Sequence, residues 1–219
     1  MTTEPTNAII IENMNRTIPE AAQMVALAAR QVERYSGIAE EYAPLAAYTN
    51  VLFFIAQVDL DTRVMLRNLI SDPSARITSE KYLALALIEA GRGAGILLNK
   101  LRVAANKQHG KLEGFINIPA LQAAKEAFDA ELLPMRQDTG FGQDLTLIRN
   151  EVVAHFVSKD SGVENSAAWA VTRDNLPKDE DAILNSKIVE YSIALSHGLR
   201  ALSGGVTATI QEWQRKNPA

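Results

Sequence analysis

Apolar residues recur at spacings of three and four over almost the whole of this chain, and no apolar–polar alternation lasts long enough to make a strand. Residues three and four apart share one face of a helix, whereas a strand repeats every second residue. The chain is therefore expected to be all-α. Its apolar stripes must be buried against one another, so the expected architecture is an antiparallel bundle of long helices. Alanine and leucine, both strong helix formers, are abundant. Apolar residues make up 47% of the chain, ample for a packed core. No fixed-period repeat points to a solenoid.

The stripes and their breaks set the expected elements. Residues 1–16 read as a frayed or extended N-terminal segment, and 17–219 as a single all-α domain. Thr17, Pro19 and Glu20 predict a helix start, because proline fits a first turn. Ala21, Val25, Ala28, Val32 and Tyr35 then follow at helical spacing. Pro44 opens a second helix, striped by Tyr48, Leu52, Ile55, Val58, Thr62, Met65 and Leu69. Val51, Phe53 and Phe54 widen its apolar surface, which predicts a central place. Ser71-Asp72-Pro73-Ser74 stops it, and Thr78 or Ser79 caps a third helix with Leu83, Leu87, Ala90, Ala94, Leu97 and Leu101. Residues 107–119 read as a loop. Leu121, Ala124, Phe128 and Leu132 mark a fourth helix that stops near Pro134. Asp138–Gly142 reads as a connection, 143–157 as a fifth helix and 158–177 as an exposed loop. Leu184, Ile188, Tyr191, Leu195, Gly198 and Leu202 form the cleanest stripe. Ser203-Gly204-Gly205 is expected to break it before a short last helix with Val206, Ile210 and Trp213.

Composition narrows the function. The formal charge of -4 gives no broad basic field, which argues against a large non-specific nucleic-acid surface and leaves room for a local basic site. With no cysteine there is no disulfide framework, no thiol nucleophile and no thiolate zinc site. The first residues lack a basic start and an apolar core, so a signal peptide is not expected. The most apolar run, Val51 to Ile55, is too short to span a bilayer. The expectation is a cytoplasmic protein with no membrane partner.

One segment departs from a plain core helix. Arg149-Asn150-Glu151-Val152-Val153-Ala154-His155-Phe156 places a permanent cation, a carboxamide and an imidazole within seven residues. Such groups suit a phosphate: the cation holds the anion, and the imidazole moves a proton near neutral pH. On a helical wheel Leu145, Ile148, Val152 and Phe156 form the core stripe, with Arg149 about 55° to one side and His155 about 65° to the other. One regular helix therefore keeps them apart. Convergence needs a distorted helix end or a second copy across a dimer. Glu151 and His155, four apart, can pair along one face. The same residues also have a purely structural use. Arg149 can bind a carboxylate on a neighbouring helix, and His155 can cap the helix end or satisfy a carbonyl.

In residues and in layout the segment resembles the signature of HEPN domains, which are small helical ribonucleases and nucleotide-binding modules. That signature is an arginine, usually a polar neighbour, and a histidine after four to six intervening residues, near the end of a long helix late in an all-α bundle. Here polar Asn150 follows Arg149, and His155 comes after five intervening residues. The local likeness covers about eight positions and the layout roughly 44–205. Leu147 to Phe156 is particularly like HEPN proteins related to phage abortive-infection systems. The resemblance implies a metal-independent endoribonuclease without cofactor, with Arg149 orienting the phosphate and His155 as the acid–base residue. Asn150 would hold the geometry or bind substrate. It further implies RNA as substrate, a homodimer in which two motifs face each other, a phage-defence or toxin setting, and a protein antitoxin or regulator. Some domains of this kind bind without catalysis, so a helical interaction or nucleotide-binding module is the alternative. One departure matters. In the toxin branch paired with a nucleotidyltransferase antitoxin, a tyrosine two residues after the histidine is the modification target. Here that position is Val157, so this regulation is not expected.

Other signals are weaker. Gly91-Arg92-Gly93-Ala94-Gly95 has the look of a phosphate loop, but it lacks the following lysine and hydroxyl residue and sits in a helical pattern. Close helix packing or a kink explains it better. Asp59 and Asp61 point in different directions on a helix and do not form a shared metal site. His109, His155 and His197 show no zinc-binding spacing. Lys107, His109 and Lys111 form a small basic loop cluster, and Arg63, Arg67 and Asn68 a polar strip that lines a cleft or makes salt bridges.

Overall fold

The computed structural model describes residues 7–37, 40–107, 112–148 and 178–217. Its helices in chain order are α1 (Asn7–Tyr35), α2 (Ala43–Ser71), α3 (Arg76–Asn106), α4 (Ile118–Glu131), α5 (Leu133–Gln137), α6 (Thr139–Leu147), α7 (Lys178–Ala208) and α8 (Gln211–Lys216). Short 3-10 turns precede α2 and α3. Among the described residues there is no strand. The described residues form an all-α helical bundle.

Consecutive long helices run antiparallel. The chain reverses between Tyr35 and Ala43, and at the far end of that pair the Arg63 guanidinium donates to the Thr17 hydroxyl at 3.0 Å. Asp72 organises the next reversal. Its Oδ1 accepts from the Ser74 backbone N–H at 2.9 Å and from the Ser74 hydroxyl at 2.6 Å. Such a side-chain turn followed by proline ends a helix because it offers the backbone another partner. Further along, Gly93 of α3 lies against the Phe54 ring of α2. α7 returns along α4, with Gly198 against Phe128 and Gly205 against Ala124.

The core lies where α2, α3, α4 and α7 meet. Leu66, Leu83, Leu87, Phe128, Leu195 and Leu202 are almost wholly excluded from solvent. Each such side chain contributes about 2 kcal/mol of transfer free energy on burial. At one end Phe115 stands edge-on to both Tyr48 and Trp213, at centroid distances of 5.7 and 5.3 Å. The Asn117 N–H donates to the Thr209 carbonyl at 3.0 Å, which ties the loop before α4 to the end of α7.

Several boundaries differ from the sequence expectation, each for a local reason. Residues 7–16 are helical rather than frayed, and Pro19 lies inside α1 rather than at its start. Pro19 is exposed, so the carbonyl it leaves unpaired can bond water. The Thr17 hydroxyl bonds back to the Asn13 carbonyl at 2.9 Å instead of capping. α3 begins at Arg76 without a side-chain cap, and Ser79 is buried. α4 begins at Ile118, inside the expected loop, because the Asn117 carboxamide caps Ala120 N–H at 3.1 Å and Pro119 fits the first turn. Asp138–Gly142 is not a connection either: Asp138 is the N-cap of α6, accepting from Phe141 N–H at 3.0 Å. Ser203-Gly204-Gly205 does not break α7, which continues to Ala208.

Candidate functional site

Arg149, Asn150 and His155 lie outside the described residues, as do the rest of the expected fifth helix beyond Ile148 and the 158–177 loop. The helix that leads into the motif is described. Phe141, Leu145 and Ile148 of this segment are buried in the core, which extends the expected stripe one turn back. Its entrance is fixed by a polar cluster. Lys187 Nζ lies 2.6 Å from Asp138 Oδ2, and the Tyr191 hydroxyl donates to the same oxygen at 3.0 Å. The other oxygen, Oδ1, holds the first turn of α6 through Phe141 N–H. The Phe141 and Tyr191 rings also touch, with centroids 4.8 Å apart.

These contacts shift both titrations. The Lys187 ammonium beside Asp138, together with the Phe141 N–H, holds its carboxyl down at about 2. Burial, reinforced by the Asp138 charge, pushes the Tyr191 phenol up to about 12. The carboxylate therefore stays ionised and the phenol protonated at neutral pH. Neither the carboxyl nor the phenol exchanges protons there, and the cluster acts as an anchor of α6 on α7. Sequence reasoning missed it, because two glycines in Asp138-Thr139-Gly140-Phe141-Gly142 suggest a turn. The usable signal was Asp138 three residues before Phe141, with Leu145 one turn later.

Beside α6 lies a hollow of about 280 Å³, lined by Arg92, Arg136, Gly142, Leu145 and Thr146 among others. Gly91 makes room for it, since a Cβ there would stand 3.1 Å from Arg136 Nη2. Arg136 also donates to Asp129 at 2.9 Å. Among the described residues Arg92 has no ion pair. Two guanidinium groups thus stand next to the turn that precedes Arg149 in sequence.

A second concave feature runs along α2. α1 and α7 both lean on that helix and leave a groove of about 350 Å³ between them. Its walls are mainly apolar, with Met24 and Leu27 from α1, Leu52 and Ile55 from α2, and Leu199 from α7. The charged lining residues are Asp59, Arg63 and Arg200. Arg63 Nε binds Asp59 Oδ2 at 2.7 Å, while Asp59 Oδ1 is buried without a hydrogen bond. Asp61 is turned away and takes the Gln57 amide at 2.9 Å. The two aspartates thus take different partners, as their spacing predicts, and no metal-holding cluster exists among the described residues. Of the Arg63–Arg67–Asn68 strip, Arg63 both lines this groove and pairs with Asp59, while Arg67 donates to Asn68 Oδ1 at 3.1 Å.

The glycine run of α3 is a packing device. A Cβ on Gly93 would stand 2.7 Å from the Phe54 ring. His197 is exposed on α7, and of the basic loop cluster only Lys107 is among the described residues. The stretch 40–71 is long enough to span a membrane, and an 18-residue window within it reaches a mean hydropathy of 1.3, although its most apolar run is short. It is packed between α1 and α3 in the bundle, with α7 against it. No protein-family model, curated protein or solved structure matches the chain.

Proposed function

We propose that the protein is a metal-independent endoribonuclease of the HEPN type, working in the cytoplasm as a homodimer in phage defence or as a toxin with a protein regulator. The observation that carries this reading is the ordered set Arg149, Asn150 and His155 in a chain whose described residues form an all-α bundle. Two further features support it. The helix leading to the motif is anchored at Asp138, and Arg92 adds positive charge beside that helix, next to an Arg136 that is paired with Asp129. Fixed cations near a phosphate favour a transition state that gathers negative charge.

In this reaction the 2′-hydroxyl attacks the adjacent phosphorus while His155 of one copy takes its proton. The bond from phosphorus to the 5′-oxygen breaks, and His155 of the second copy protonates that oxygen. The products are a 2′,3′-cyclic phosphate and a 5′-hydroxyl. Arg149 stabilises the pentavalent phosphorus, and Asn150 holds the phosphate in line. A second reading, a non-catalytic interaction module, is favoured by the apolar groove along α2.

The test is incubation of mixed RNA with the protein and with His155→Ala in excess EDTA, after circular dichroism shows both equally folded. The parent is expected to cut, and the variant to be slower by about 10²–10⁴-fold. Equal cutting by both would rule out His155 chemistry, and no cutting by either would favour the interaction module.

A further inference from the structure

The α1 rim of the groove along α2 is unusual for a helix facing water. Residues 21–29 read Ala-Ala-Gln-Met-Val-Ala-Leu-Ala-Ala, nine positions without a charge. Met24 is 58% and Leu27 51% exposed. No residue of α1 whose burial is described is fully buried, so even its inward stripe is only half covered. The floor is α2; 28% of the residues in its most apolar window are fully buried and nearly all the others are half-buried. Contiguous apolar surface of this kind marks a contact site.

We propose that a second copy of this chain covers the groove, with the two α1 helices antiparallel about a two-fold axis at Val25–Ala26. Met24 and Leu27 of each copy then enter the groove of the other. In that register Met24 opposes Leu27 of the second copy and the reverse holds as well, which is the self-complementarity that two-fold symmetry requires. Glu20, Met24, Leu27 and Gln31, at spacings of four, three and four, lie on one helix face. The alanines among them allow the helices close approach. The charges at the two ends agree with the pairing. Glu20 opposes Gln31 of the second copy, with Arg30 of that copy beside it. Both Glu20 and Arg30 are exposed, and among the described residues neither is in an ion pair within the chain. Opposite charges placed this way fix register and orientation. The contact is built from α1, α2 and α7 and does not depend on the ribonuclease reading.

Sedimentation velocity of the full chain without RNA, over roughly 1–100 µM, tests it. The parent is expected to form dimers or multiples of dimers. Leu27→Asp would bury a carboxylate at the contact and weaken that association step by about 100-fold or more. Glu20→Arg is expected to weaken it by about 10-fold, and adding Arg30→Glu to restore it. These positions are exposed, so circular dichroism should be unchanged, and the charge-swap pair stands even if Leu27→Asp folds poorly. A parent that stays monomeric throughout would overturn the proposal. So would association untouched by Leu27→Asp, or a charge swap that restores nothing. Loss of association in Arg149→Ala but not in Leu27→Asp would move the contact to the motif and overturn it as well. Cleavage is not scored, so failure of the ribonuclease reading leaves the result interpretable.

Discussion

Gly204 and Gly205 are adjacent in α7, yet alanine at the two positions should shift stability in opposite directions. In a helix interior, alanine is favoured over glycine by about 0.5–1 kcal/mol because less backbone freedom is lost on folding. At exposed Gly204 a Cβ meets nothing within 4 Å, so Gly204→Ala should gain that amount. At Gly205 a Cβ would stand 2.4 Å from the Ala124 Cβ and 3.1 Å from its Cα. Neither atom can swing aside, so α4 and α7 must separate. Overpacking of this sort costs about 1–3 kcal/mol, more than the propensity gain. The net expectation is a loss of about 1–2 kcal/mol for Gly205→Ala, and a gap between the variants of about 2 kcal/mol. For a domain of this size that gap corresponds to roughly 4–8 °C in Tm. Thermal and urea unfolding followed by far-UV circular dichroism would measure it. A Gly205→Ala protein as stable as Gly204→Ala would refute the close approach of α4 and α7. Adding Ala124→Gly should recover stability in the Gly205→Ala background by at least about 1 kcal/mol more than it does in the parent.

The Asp138 carboxyl is held at about 2, below its unfolded value, so its contribution to stability is present above the ordinary carboxylate pKa and is lost as pH falls toward about 2. Asp138→Asn should lower the thermal midpoint at pH 7 and flatten the midpoint-against-pH curve in that acid window; an unchanged curve would contradict the cluster. Ultraviolet titration of the native protein should show a phenol ionising at about 12 that disappears in Tyr191→Phe. Arg63→Met leaves the Asp59 carboxylate without its partner and should cost about 2 kcal/mol in urea unfolding, whereas Asp59→Leu combined with Arg63→Met should recover most of it. Equal losses in the single and double variants would show that the charge pair itself is not what matters.

What the sequence could disclose depended on how far each residue's environment is set by its own helix. Leu83, Leu87, Ala90, Ala94 and Leu101 of α3 are buried as their spacing predicts, whereas Leu97 of the same expected stripe is only half-buried and its neighbour Leu98 takes the core position. Leu121, Ala124, Phe128 and Leu132 are buried as predicted. The α1 stripe has the same spacing but only half burial, because α2 is its main neighbour. Periodicity reports which face turns inward and not how much protein lies beyond it. Pro19 and Gly204-Gly205 misled for a related reason. Both are breaking signals in isolation, yet an exposed proline can leave its lost bond to water, and a glycine against Ala124 is required by the neighbouring helix. At the candidate site the residue types of Arg149, Asn150 and His155 were legible, whereas the Asp138 anchor and the groove along α2 depend on side chains from separate helices.

The close fit of α7 on α4 also sets an order of events during synthesis. Phe128 is made about 70 residues before its partner Gly198. At a translation rate of roughly 5–20 residues per second, the wait is about 4–14 s. Throughout it, the faces of α3 and α4 that α7 will cover, Phe128 among them, are exposed on the ribosome-bound chain. Binding by a chaperone during that interval would protect a nascent chain whose core can close only when α7 has left the exit tunnel.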